Sequence, residues 1–268
     1  MASLKALKTQ FLEYVEIEKG RSLKTVENYD HYLSRFLEFA KTDSPSNITD
    51  SLVREFRLWL NRQPSKYNKE GGGTVRKRTQ NYYMIALRAF LKYLARQDIK
   101  SLAPDRIELA KIPERELDLI TPVELKRLMD SPSGSDIKDL RDRAILEMLF
   151  STGLRVSELC SLTSDIDLSR DDFSIRGKGG KIRVIFISEE AKNAVRNYLR
   201  ARKDMSEALF VQVDSGIDTK NKKKDNKIKE LKSLDKRSIE RIVKGHAVKA
   251  GIYKQVTPHV LRHMFATD

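Results

Sequence analysis

STGLRVSELCSL, residues 151–162, sets one glycine between two runs of helical spacing. A helix ending near Ser151, a turn at Gly153 and a new helix from Arg155 make an αα-corner, with Leu154, Val156, Leu159 and Leu162 available to a core. Arg155 and Glu158 stand three apart, the spacing of an ordinary surface ion pair. The alternative is a chemical use, in which Arg155 points into a cleft, where its planar fork matches two phosphate oxygens, and Glu158 orients it.

Two further segments carry polar residues that a purely structural reading strains to place. In SIRGKGGKIRVIF, residues 174–186, Gly177, Gly179 and Gly180 predict a tight hairpin with Lys178 at its tip. There the ammonium is either a solvated turn lysine or a donor within reach of a ligand. A Walker A loop is excluded, since neither Ser nor Thr follows the Gly-Lys pair. In TPHVLRHMFATD, residues 257–268, Thr257 reads as a helix N-cap and Pro258 as a first-turn proline. The helix that follows puts His259, Arg262 and His263 on one face, which is no core face. It is not a zincin helix, because Val260 stands where the metalloprotease glutamate would be; the inverted pattern fails on Arg262.

Composition bounds the partners. The 268 residues hold 52 Lys and Arg against 38 Asp and Glu, a net charge of +14, which favours polyanions. Cys160 is the single cysteine, so no intrachain disulfide forms and a reducing, cytoplasmic setting is expected. No signal peptide, membrane span or internal repeat is evident.

Helical periodicity predicts four helices in the first hundred residues. The first carries Leu4, Leu7, Phe11, Tyr14 and Val15 and stops at Gly20; the second starts at Ser22 and the third is capped by Asp50. The fourth runs from about Val75 to Arg96. The proline-bearing stretch 98–122 reads as an extended linker. Beyond it the pattern is mixed, with helices at 122–129, 137–150, 191–202, 236–250 and 259–267 and strands at 173–176 and 182–187. The lysine-rich segment 214–233 is almost free of large apolar residues and reads as a loop. The fold expected is mainly α with a small β-sheet: a helical bundle over 1–100, a linker over 101–120 and a mixed α/β domain over 121–268.

In this order and on a basic chain, TGLRVSEL, GKGGK and HVLRH resemble the tyrosine recombinase family, and more closely its Xer-type members. SLKTVENYDHYLSRFLEFA and QNYYMIALRAFLKYLA are similar to the family's N-terminal core-binding domain. The resemblance implies a C-shaped clamp on double-stranded DNA and strand breakage and rejoining through a 3′-phosphotyrosyl intermediate, with neither metal nor other cofactor. It makes Arg155 and Arg262 the two catalytic arginines, Lys178 the hairpin lysine and His259 the motif histidine, with Glu158 and His263 in support. It also implies a DNA-bound tetramer for the intact enzyme, and no room for an arm-binding domain ahead of the bundle.

The residue chemistry agrees. Two arginines stabilise charge on the nonbridging oxygens, a lysine can protonate the leaving 5′-oxygen, and a histidine can assist removal of the phenol proton. The family's nucleophilic tyrosine lies beyond the HxxR motif. All nine tyrosines here (14, 29, 32, 67, 82, 83, 93, 198 and 253) precede it, so the expectation is a catalytic domain C-terminally incomplete, binding DNA without cleaving it and monomeric in solution. A type IB topoisomerase, a noncatalytic DNA-binding regulator of the same fold and a metal-dependent nuclease remain alternatives. Arg88, Lys92 and Arg96, preceded by Arg76, Lys77 and Arg78, form a candidate phosphate-tracking stripe on the fourth helix.

Overall fold

The computed structural model describes residues 3–64, 73–113, 118–177, 180–213 and 231–267. It is mainly helical with one two-stranded antiparallel sheet, and it divides into two compact units, Met1–Arg115 and Glu116–Asp268.

The first unit holds α1 (Leu4–Glu16), α2 (Leu23–Ala40), α3 (Asp50–Arg62) and α4 (Lys77–Arg96). Apolar residues at helical spacing turn one face of each helix inward, so Phe11, Phe36, Phe56 and Phe90 are enclosed. α4 is the central element, burying nine side chains from Asn81 to Leu94. Thr49, and not Asp50, caps α3: its Oγ1 accepts from Leu52 N at 3.3 Å. Asp50 instead occupies the first turn, where its carboxylate meets Arg106 at 3.0 Å.

That ion pair belongs to a larger difference from the linker reading. The chain after α4 folds back on the first unit, with a 3-10 turn at Pro104–Arg106 and Ile107 only 1% exposed in its core. The Asn81 amide then takes the place of a strand neighbour, donating to the Ala110 carbonyl at 2.9 Å and accepting from its N–H at 3.0 Å. Helical periodicity has no signature for such packing, because contacts such as those of Ile107 and the Asn81 amide do not recur at a helical spacing.

The second unit is built around α6 (Ile137–Thr152), on which Ala144, Ile145, Leu146, Met148 and Leu149 are all fully buried. Against it lie α5 (Pro122–Asp130), α8 (Glu189–Ala201), α9 (Lys236–Lys249) and α10 (Pro258–Thr267), with the four-residue α7 (Val156–Leu159) after the corner. Strands β1 (Asp172–Arg176) and β2 (Ile182–Phe186) pair so that Ile175 faces Arg183 and Phe173 faces Ile185. The two-residue period turns Ile175 and Ile185 inward and leaves Ile182, Val184 and Phe186 outward. Among the described residues, no helix is long and apolar enough to cross a membrane.

Candidate active site

The corner at Gly153 is forced by its backbone. α6 ends there because Gly153 adopts φ +56°, the left-handed conformation of a helix C-terminal glycine. A Cβ at this position would also run into the Phe265 ring of α10, so the corner and the last helix approach as only glycine allows. Arg155 follows in extended conformation as the N-cap of α7.

Glu158, 7% exposed, organises the site. Its Oε2 accepts from the Arg155 backbone N–H at 2.7 Å, the reciprocal half of a capping box, while Oε1 accepts from Arg155 Nη1 at 2.8 Å. Oε2 also accepts from Arg183 Nη2 on β2 at 2.7 Å. Burial pushes the Glu158 carboxyl up, but the Arg155 N–H, the Arg155 guanidinium and the Arg183 charge outweigh it and hold it below its ordinary value. The Arg155 side chain is 47% exposed, so its fork is anchored at one corner and open elsewhere.

Arg262 reaches the same place from α10 and donates through Nη1 to the Gly153 carbonyl. Its pKa is lowered, first by burial and then by the charges of Arg155 and Arg183. A guanidinium keeps its proton regardless, so the lowering registers a site crowded with positive charge. One turn away on α10, His259 and His263 share a hydrogen bond between their Nε2 atoms at 2.9 Å, with rings edge-to-face at 87°. That contact takes one N–H and one bare nitrogen. α10 itself starts as its sequence dictates, with Thr257 Oγ1 accepting from Val260 N at 3.3 Å, and Val260 and Leu261 turned to the core.

The structure thus brings Arg155, Glu158 and Arg262 together and adds Arg183, which the sequence reading missed. Lys178 lies outside the described residues. Its neighbour Gly177 starts the hairpin turn beside the site: a Cβ on Gly177 would stand 3.7 Å from Glu158 Oε1. The signal for Arg183 was available in principle, since strand alternation puts it on the inward face with Ile185.

In the first unit, Arg76, Lys77, Arg78, Lys92 and Arg96 are exposed. Arg88 departs from the expected stripe: its guanidinium turns inward and donates through Nη2 to the Ile107 carbonyl, an acceptor supplied by the returning chain. Lys92 and Arg96 instead border a groove of about 200 Å³ with Lys19, Arg21, Tyr14 and Tyr93, where Arg96 donates to the Tyr14 hydroxyl at 2.6 Å.

Comparison with known proteins places this arrangement. Residues 118–268 match the phage integrase family, and residues 9–98 match the phage integrase N-terminal SAM-like domain. The chain is 35% identical to tyrosine recombinase XerA of Pyrococcus furiosus over 96% of its length and 78% of that protein. It is 32% identical to tyrosine recombinase XerC of Pelobacter propionicus over 96% of its length and 79% of that protein. The fold matches a lambda integrase tetramer bound to a Holliday junction with a TM-score of 0.68 at 17% identity, covering 100% of this chain and 73% of that one. The chain belongs to the phage integrase family of tyrosine recombinases, among relatives of Xer type.

Proposed function

We propose that this chain binds a recombination site on duplex DNA and holds one phosphodiester against Arg155 and Arg262. The observation that carries this is the pair itself: two guanidiniums on separate elements, each fixed by one contact, Glu158 for Arg155 and the Gly153 carbonyl for Arg262. Fixed donors facing an open side are what phosphoryl transfer asks of a protein. In the full reaction a tyrosine oxygen attacks phosphorus as His259 assists removal of the phenol proton. The 5′-oxygen leaves, taking a proton from Lys178, and the strand stays attached as a 3′-phosphotyrosine.

None of this chain's tyrosines is the nucleophile in this reading. Tyr198 is fully buried, stacked on Phe210, and burial raises its pKa, while Tyr253 is fully exposed between α9 and α10. The chain accordingly binds without cleaving. Residues 1–115 serve as the core-binding unit and 116–268 as the catalytic one. Arg76, Lys77, Arg78, Lys92 and Arg96 contact phosphates, and the protein acts in the cytoplasm. It is a monomer in solution, and the intact enzyme is a tetramer on DNA.

The test is a fluorescence-anisotropy titration of a labelled duplex at several salt concentrations. The logarithm of the affinity should fall by roughly 0.9 per phosphate contact for each tenfold rise in salt. A salt-insensitive isotherm would count against DNA binding of this kind.

A further inference from the structure

Glu158 holds two arginines, and the second is the more unusual. Arg183 comes from β2, 25 residues further along the chain, and its side chain is 32% exposed. It spends Nη2 on Glu158, while its Nε is buried and has no hydrogen-bond partner. An unmet buried donor on a charged group is destabilising, so a gain in stability does not account for this placement.

Charge gives the alternative account. Arg155 and Glu158 alone cancel, and a neutral pair offers a phosphate little attraction. Arg183 shares the same carboxylate, so the three guanidiniums of Arg155, Arg183 and Arg262 face one counter-charge, a surplus of two. A phosphodiester carries one negative charge, and the five-coordinate arrangement of in-line transfer carries two. Fixed positive charge therefore favours the latter over the former. Geometry adds a second effect: Gly177 starts its turn against Glu158, so the Arg183 bond pins the strand that closes this turn to the α6–α7 corner.

We propose that Arg183 is a positioning residue of this site, one that fixes the Arg155 fork through their shared carboxylate and keeps the site's charge in surplus. This rests on the reading of the Arg155–Arg262 site as a phosphate site.

The test uses the 268-residue chain and tungstate, a tetrahedral dianion, with affinity measured by calorimetry well below the melting temperature. At that temperature a residue that merely stabilises the fold leaves the dissociation constant unmoved. Arg183→Gln and Arg183→Met should weaken binding roughly tenfold, the scale of one partly screened charge. Arg183→Lys, which keeps charge and a donor, should stay within about threefold on the same reasoning. Circular dichroism confirms that each variant is folded, and either neutral variant suffices if the other is not. Should both neutral variants bind like the unsubstituted chain while Arg155→Ala binds weakly, Arg183 has no such role and the phosphate site stands. Should tungstate fail to bind the unsubstituted chain, or Arg155→Ala bind it equally well, the phosphate reading fails and this proposal with it.

Discussion

Arg262 and Gly153 stand 109 residues apart in sequence and are joined by a hydrogen bond from the Arg262 Nη1 to the glycine carbonyl. The same glycine lies under the Phe265 ring at φ +56°, so fold and site share one residue. Gly153→Ala should therefore cost about 2–4 kcal/mol, combining the left-handed penalty with overpacking. Denaturant unfolding measures it. A loss below about 0.5 kcal/mol, the scale of an ordinary surface change, would show that the corner tolerates a side chain.

Glu158 should make stability fall in acid. Its folded pKa is depressed by Arg155 and Arg183 in spite of burial. The stabilisation is thus fully present above the unfolded carboxylate pKa and lost as pH drops through the lower folded value. Melting temperatures followed from about pH 6 to about pH 3 should decline, and Glu158→Gln should lower the neutral plateau and flatten that decline. An unchanged slope in the variant would remove Glu158 from the acid transition.

Glu147 predicts the opposite sign. Burial, against the pull of Arg143 and helped by Glu190 and Asp130, holds its carboxyl above the ordinary value. Ionising it penalises the folded state as pH rises, so Glu147→Gln should raise the melting temperature at neutral pH and show no gain below the unfolded carboxylate pKa. A variant less stable at neutral pH would contradict the assignment.

Asn81 tests whether the returning chain belongs to the first unit. Its amide makes both hydrogen bonds to the Ala110 backbone, and Asn81→Ala leaves that N–H and carbonyl without them. The expected loss is about 1–3 kcal/mol, with faster hydrogen exchange at the Ala110 amide. Exchange at Ala110 equal to that of the parent would show that the segment is held by other means.

Much of this was legible in the sequence because it rests on local rules. α2, α5, α6 and α9 begin within a residue of their predicted starts, since caps and helical periodicity are local signals. The grouping of Arg155 with Arg262 was legible only through resemblance, because nothing local links residues 153 and 262. Arg183 and the inward turn of Arg88 were missed for one reason. Each depends on a partner distant in sequence, Glu158 in one case and the Ile107 carbonyl in the other. Charge on a helix or strand says that a side chain prefers water, and a buried acceptor overrides that preference; alternation with Ile185 marks the inward face for Arg183, whereas nothing local marks Arg88.

In the proposed reaction, Arg155, Arg262, Lys178 and His259 serve phosphoryl transfer to a tyrosine other than those of this chain. The direct measurement is a nicked suicide duplex incubated with protein and run on a denaturing gel. No protein-linked DNA band is expected from the 268-residue chain, and one is expected from a version extended through the family's downstream tyrosine. In the extended version, Arg155→Ala and Arg262→Ala should abolish the band while leaving duplex affinity little changed, because one phosphate is a small share of the footprint. A covalent band from the 268-residue chain alone, or unimpaired cleavage by either arginine variant, would contradict it.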